Sequence, residues 1–381
     1  MRTSCFHSCV SANLNLVFEV RAVLMFSTSS QTEVQSPPST RFWQVFRRRL
    51  FQISLEETTF ARRGFRANTP EIQQRLEQVG RTFLQGYHAA IEDDRFFQLV
   101  PKLNAVENEW RGFAFEGAAM GLALLDALMP WRRDRVSTFL SQDGAAHAYM
   151  VHVGAGWILA RLPGGVTQYL KRLQKNSNLK IRHISYAEGY TNLPDPLLGW
   201  LALDGYGFHQ GYFHWPIYVA GQAVPKCLSG YACRVFDQGL GRSLWFLEGA
   251  DVDQVVAAIW DFPASRQADL WSGIGLACAY AGGVDEVAIA TLQTAAAAYH
   301  PQLAQGAAFA AKARQRAGNP APHTEQACQI LCDLSASDAA DLTDRALNAV
   351  LHSSSSPAPA LSAYELWRQH LQTQFSNLPS P

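Results

Sequence analysis

Glycines set inside long apolar helical runs limit this chain more than any other feature. Arg234-Val-Phe-Asp-Gln-Gly239 has an upstream echo in Arg81-Thr-Phe-Leu-Gln-Gly86. Trp271-Ser-Gly-Ile-Gly-Leu-Ala-Cys-Ala-Tyr-Ala-Gly282 has one in Trp110-Arg-Gly-Phe-Ala-Phe-Glu-Gly-Ala-Ala-Met-Gly121, and the two motifs keep the same order. Leu303-Ala-Gln-Gly306 is a further copy of the first motif and Val153-Gly-Ala-Gly-Trp157 a fainter one; Leu201-Ala-Leu-Asp-Gly205 belongs with the second. A glycine inside a helix costs about 1 kcal/mol relative to alanine. A recurring one therefore needs an offsetting gain, and close approach of helices is the usual one. The anchors Gly86, Gly156, Gly239 and Gly306 lie 70, 83 and 67 residues apart. The pattern predicts an all-α fold, an irregular helical-repeat array of about four helix-pair units, solenoid-like or closed into an α/α-toroid. Chance likeness among Gly- and Ala-rich helices is the competing explanation.

Alternating apolar and polar residues are nearly absent, so strands are not expected apart from a short candidate at residues 180–185. Thr69-Pro70 is a helix start, with Thr at the N-cap and Pro at the first position; a helical stripe follows through Ile72, Leu76, Val79, Phe83 and Gly86. Residues 104–129 read as one long helical run. Residues 1–40 predict a disordered leader or an over-extended start, 41–66 an amphipathic docking helix, 67–352 the helical-repeat domain, and 353–381 a Ser/Pro-rich linker with a terminal helix.

Only 17% of residues are charged and the net charge is zero. That argues against bulk electrostatic binding of nucleic acid. No apolar stretch reaches the roughly 18 residues of a membrane-spanning helix. The seven cysteines contain no CxxC and mostly sit in apolar helical runs, which predicts buried thiols and a cytoplasmic setting.

Phosphate-binding glycine loops, GxSxG, HExxH and kinase signatures are all missing. What remains is a set of polar residues in apolar surroundings. Glu116 and Asp204 each stand just before a glycine at matching motif positions, where a carboxylate is unfavourable unless paired; Arg111, Arg234 and Arg242 are the available partners. They are either buried ion pairs between helices or acids facing a cavity, where burial raises a carboxyl pKa and suits proton transfer. His209 lies in the polar-aromatic stretch Asp204–Gly211, and Asp237 stands five residues before Arg242. His209 and His214, five apart, share no helix face, so no metal site is expected. The expected catalytic set is Glu116, Asp204, His209 and Asp237; Phe115, Phe208, Arg242, Trp245 and Trp271 are the expected substrate-binding set.

The strings Trp110–Gly121, Asp204–Gly211, Arg234–Trp245 and Asp269–Gly283 resemble a bacterial family of unknown function found in gene clusters for enediyne polyketides and in other bacteria. The resemblance spans about residues 47–351. It implies an accessory role in specialised-metabolite biosynthesis, on a polyketide- or polyene-like apolar molecule, and supplies no catalytic residues to carry over. Two functions stand as expectations: binding a long apolar substrate in a helical cavity with acid/base chemistry, or a non-catalytic scaffold for a partner protein such as a synthase. No cofactor is indicated.

Overall fold

A computed structural model describes residues 47–129, 132–177, 195–352 and 362–376. The expected leader, the strand candidate at 180–185 and the 353–359 linker lie outside the described residues. The described residues are helical, with turns between and no strand among them. No described helix is long and apolar enough to cross a membrane.

Among the described residues, nine helices build the core: α1 (Pro70–Glu92), α2 (Arg111–Leu128), α3 (Ala148–Trp157), α4 (Leu201–Trp215), α5 (Tyr231–Leu247), α6 (Ala264–Ala281), α7 (His300–Ala317), α8 (Ala336–His352) and α9 (Ala363–Ser376). From α1 to α8 each packs against the next, and α9 packs on α7 and α8. Shorter helices, such as Val252–Trp260 and Glu286–Ala295, connect them. The start of α1 follows its sequence signals. The Thr69 hydroxyl accepts from the Ile72 N–H, and Pro70 fills the first helical position, where its missing N–H has no intrahelical partner to lose. The run 104–129 is not one helix. Phe96–Asn104 and α2 are separate, and the Arg111 guanidinium donates to the Val106 carbonyl in the turn between them.

The late helices fold back onto the early ones. Tyr280 of α6 meets Phe113 of α2 edge-on at 5.2 Å. Arg75 of α1 donates to the Ala281 carbonyl, and Arg316 of α7 donates to the Ala145 carbonyl. The terminal helix is integral to the core, because Tyr364, Trp367 and Arg368 of α9 are fully buried.

The motif glycines are the helix crossings. On an α-helix, residues i and i+2 point about 200° apart, so a Gly-x-Gly pair serves two neighbours at once. In α5, a Cβ on Gly239 would stand 1.9 Å from the Asp204 carbonyl oxygen of α4, and one on Gly241 would stand 2.2 Å from the Leu270 carbonyl oxygen of α6. Gly205 and Gly207 of α4 face α3 and α5 in the same way, and Gly273 and Gly275 of α6 face α5 and α7. Gly86 and Gly156 lie against the helix that follows, whereas Gly239 and Gly306 lie against the one that precedes. The four anchor glycines of the sequence pattern thus serve opposite faces. Backbone opposes backbone at these points, so no side chain can rotate away. Gly239→Ala is expected to destabilise the fold by about 3 kcal/mol or more, beyond ordinary overpacking, measurable by urea unfolding.

Candidate functional site

One cavity lies among α1 to α7. Its wall takes Phe83 from α1, Glu116 from α2, Trp157 from α3, Phe208 from α4, Arg242 from α5, Tyr280 from α6 and Phe309 from α7. Ile53, Glu57 and Thr58, from the segment before α1, also line it. The free volume is about 80 Å³, enough for several waters at about 10–15 Å³ each but narrow for anything bulky. The wall is mainly aromatic and aliphatic: Trp157 stacks on Phe83 at 4.3 Å and leans on Phe208 at 5.3 Å.

Arg242 is the hub of the charged groups at this wall. Its Nη1 donates to Oδ1 of Asp204, and its Nη2 lies 4.0 Å from Oε1 of Glu116. Its guanidinium also sits 4.9 Å over the Phe208 ring. The second oxygen of Asp204 accepts from Gln238 Nε2 at 2.8 Å, and the same amide reaches the Tyr364 hydroxyl at 3.2 Å. Asp204 and Gln238 have no measurable exposure, and Glu116 is 3% exposed. Burial pushes the Glu116 carboxyl up to about 7, with Arg242 opposing the rise, Asp204 adding to it and the Trp157 indole lowering it. Burial acts to lower the Arg242 pKa, but the carboxylates of Asp204 and Glu116 outweigh it and hold the pKa above the usual arginine range. One cation therefore stands between two enclosed acids, of which Glu116 faces the cavity.

The local sequence explains why these groups meet. Glu116, Asp204, Gln238, Ser272 and Gln305 each immediately precede a glycine that lies against the preceding helix. The shared position gives them a common register, so their side chains form a polar layer across successive helices. Asp204 meets Gln238, and Ser272 Oγ donates to Gln305 Oε1 at 3.0 Å.

A family model described as Protein of unknown function (DUF1702) matches residues 42–375. The chain belongs to that family. No curated protein and no solved structure matches it. The match takes in α9, which contributes Tyr364 to the polar layer of this DUF1702 chain.

The expected site residues divide into three groups. Glu116, Phe208 and Arg242 line the cavity, and Asp204 stands directly behind Arg242. His209 is near but separate: it lies edge-on to Trp157 at 5.6 Å, and neither of its ring nitrogens has a partner. Burial, with Arg161, His214 and Arg63 adding to it, holds its pKa well below the usual histidine value. The other four lie elsewhere. Asp237 does not meet Arg242; both its oxygens accept from Arg266. Phe115 stacks on His147 at 3.8 Å, Trp245 donates to the Gly282 carbonyl, and Trp271 packs edge-on to Trp260. None of these four lines the cavity. Of the other arginines named as partners, Arg234 bridges Asp269 and Glu365. Sequence reasoning missed Trp157, Arg161, Tyr280 and Tyr364. A lone aromatic on an apolar helix carries no signal of which side it faces. No set of three or more His, Cys, Asp or Glu side chains able to hold a metal ion occurs among the described residues.

Proposed function

We propose that this DUF1702 protein binds a slender, largely apolar small molecule in the cavity among α1–α7, and that Glu116 gives or takes a proton there. The observation that carries this reading is a carboxyl poised near neutrality on an otherwise apolar wall, the condition under which a general acid or base works best. Arg242 and Asp204 hold that carboxyl in place and set its charge. The resemblance to proteins of polyketide gene clusters supports an accessory role in specialised metabolism, with a polyene- or polyketide-like chain as the ligand class. The Gly-x-Gly pairs at the crossings of α4, α5 and α6 support a quasi-repeated helical array closing around the ligand. The scaffold reading draws less support. Ion pairs such as Asp237–Arg266 and Asp269–Arg368 do tie helices together, but the large exposed apolar side chains, including Phe97, Trp260 and Val287, sit on separate elements.

Native mass spectrometry of the purified protein is expected to show a co-purifying apolar molecule, and metabolite profiling of a deletion strain a missing or stalled product. A protein free of ligand, together with an unchanged metabolite profile, would remove this reading and leave the scaffold.

A further inference from the structure

Arg161 lies one turn beyond Trp157 in the chain and lines the cavity end near Glu57 and Phe213. Its side chain is exposed, and the protein around it still lowers its pKa through burial, with Tyr87 and Glu57 opposing. Among the described residues no carboxylate lies within ion-pair distance of it. Glu57, the acid at this end, already pairs with Arg62 at 3.0 Å and Arg63 at 2.7 Å. The guanidiniums of Arg63 and Arg161 share the Phe213 ring, at 4.9 and 5.8 Å from its centroid. This end of the cavity therefore carries more positive charge than the carboxylate beside it neutralises.

A second observation lies beside this end of the cavity. His209, 3% exposed, lies 4.7 Å from the Phe213 ring with both nitrogens unpartnered. Buried polar groups without partners are uncommon in folded proteins, and a cavity end with excess positive charge draws an anion. An oxyanion paired with Arg161 balances that charge. A single unpaired guanidinium matches the fork of a carboxylate.

We infer that Arg161 anchors the carboxylate of a long-chain acid whose apolar tail runs past Trp157 into the cavity toward Glu116. This rests on the proposal that the cavity holds a ligand and narrows it to chain acids. The direction of the tail follows from the wall. Arg161, Trp157 and Glu116 line the same cavity, and Trp157 contacts Phe83 and Phe208 on its wall and acts on Glu116.

Binding of dodecanoate and dodecanol, read by tryptophan fluorescence and calorimetry on the full chain, separates the two ideas. The wild-type protein is expected to bind the acid about tenfold more tightly than the alcohol, the effect of one charge-assisted contact. Arg161→Gln is expected to abolish that preference while leaving dodecanol binding unchanged, and Arg161→Lys to keep part of it. Equal affinities in the wild-type protein, a comparison that needs no variant, overturn the anchor and leave the apolar cavity standing. A preference that survives in Arg161→Gln also overturns it. Binding of neither molecule overturns both the anchor and the cavity reading.

Discussion

Replacing Arg242 by methionine is expected to lower the stability of the fold by about 3–5 kcal/mol, the loss typical when one member of a buried charge cluster is removed and its partner is left uncompensated. Methionine fills much of the arginine volume, so the effect isolates charge from packing. Asp204 has no exposure and Glu116 only 3%, so neither carboxylate can turn to solvent when the cation is gone. Glu116 can answer by keeping its proton to higher pH. Asp204 keeps only the Gln238 amide, a neutral donor that replaces a charge-assisted bond poorly. Arg242→Lys restores a charge but not the fork that spans two acids, and is expected to recover only part of the loss. Adding Asp204→Asn to Arg242→Met removes the stranded carboxylate, so the double variant should be less destabilised than the sum of the single ones. Urea unfolding at neutral pH measures the wild-type protein, Asp204→Asn and the three Arg242 variants. A loss below about 1 kcal/mol in Arg242→Met, the scale of an exposed ion pair, would mean that the cluster is solvated and does not hold Glu116 in place.

The parts of the fold written as backbone contact were legible in the sequence. Glycines within apolar helical runs announced close helix crossings, and the crossings are there. Their periodicity was harder to read. A glycine leaning on the preceding helix and one leaning on the following helix look alike in a string, and Gly86 and Gly239 were aligned although they face opposite ways. The site was legible where polarity was out of place. Glu116, Asp204 and Arg242 stood out as charges in apolar surroundings, and they meet. Asp237 had the same signature but is satisfied by Arg266, a residue twenty-nine positions away that nothing local marks as its partner. The aromatics carried the least information, since burial draws every large ring inward whether it faces a cavity, as Phe208 does, or a neighbouring helix, as Phe115 does. The register shared by Glu116, Asp204, Gln238, Ser272 and Gln305 was present in the letters before each glycine. It becomes informative only once the direction of each crossing is known.

Glu116→Gln is expected to be more stable than the wild-type protein above pH 7 and nearly equal to it below about pH 4.5. The carboxyl rises from 4.5 to about 7 on folding. Between those values the folded state keeps a proton that the unfolded state has released, so the contribution of Glu116 to stability falls as pH rises through the window and is fully lost above 7. A rise from 4.5 to about 7 corresponds to about 3 kcal/mol at 1.36 kcal/mol per tenfold change in proton affinity. Glutamine keeps the shape of the protonated acid and does not titrate, so it escapes the penalty. The wild-type curve alone hides this effect. His147 and His323, each lowered to about 4 mainly by burial, contribute stability that is lost as pH falls from their ordinary 6.5 toward 4, the opposite slope. Both histidines are present in both proteins, so the difference in stability between variant and wild type cancels them. Thermal unfolding of the two proteins across this range should give a difference that grows with pH and levels off near neutrality. A flat difference would mean that Glu116 is ionised throughout, as a simple partner of Arg242, and would take away the proton that the proposed chemistry at the cavity wall requires.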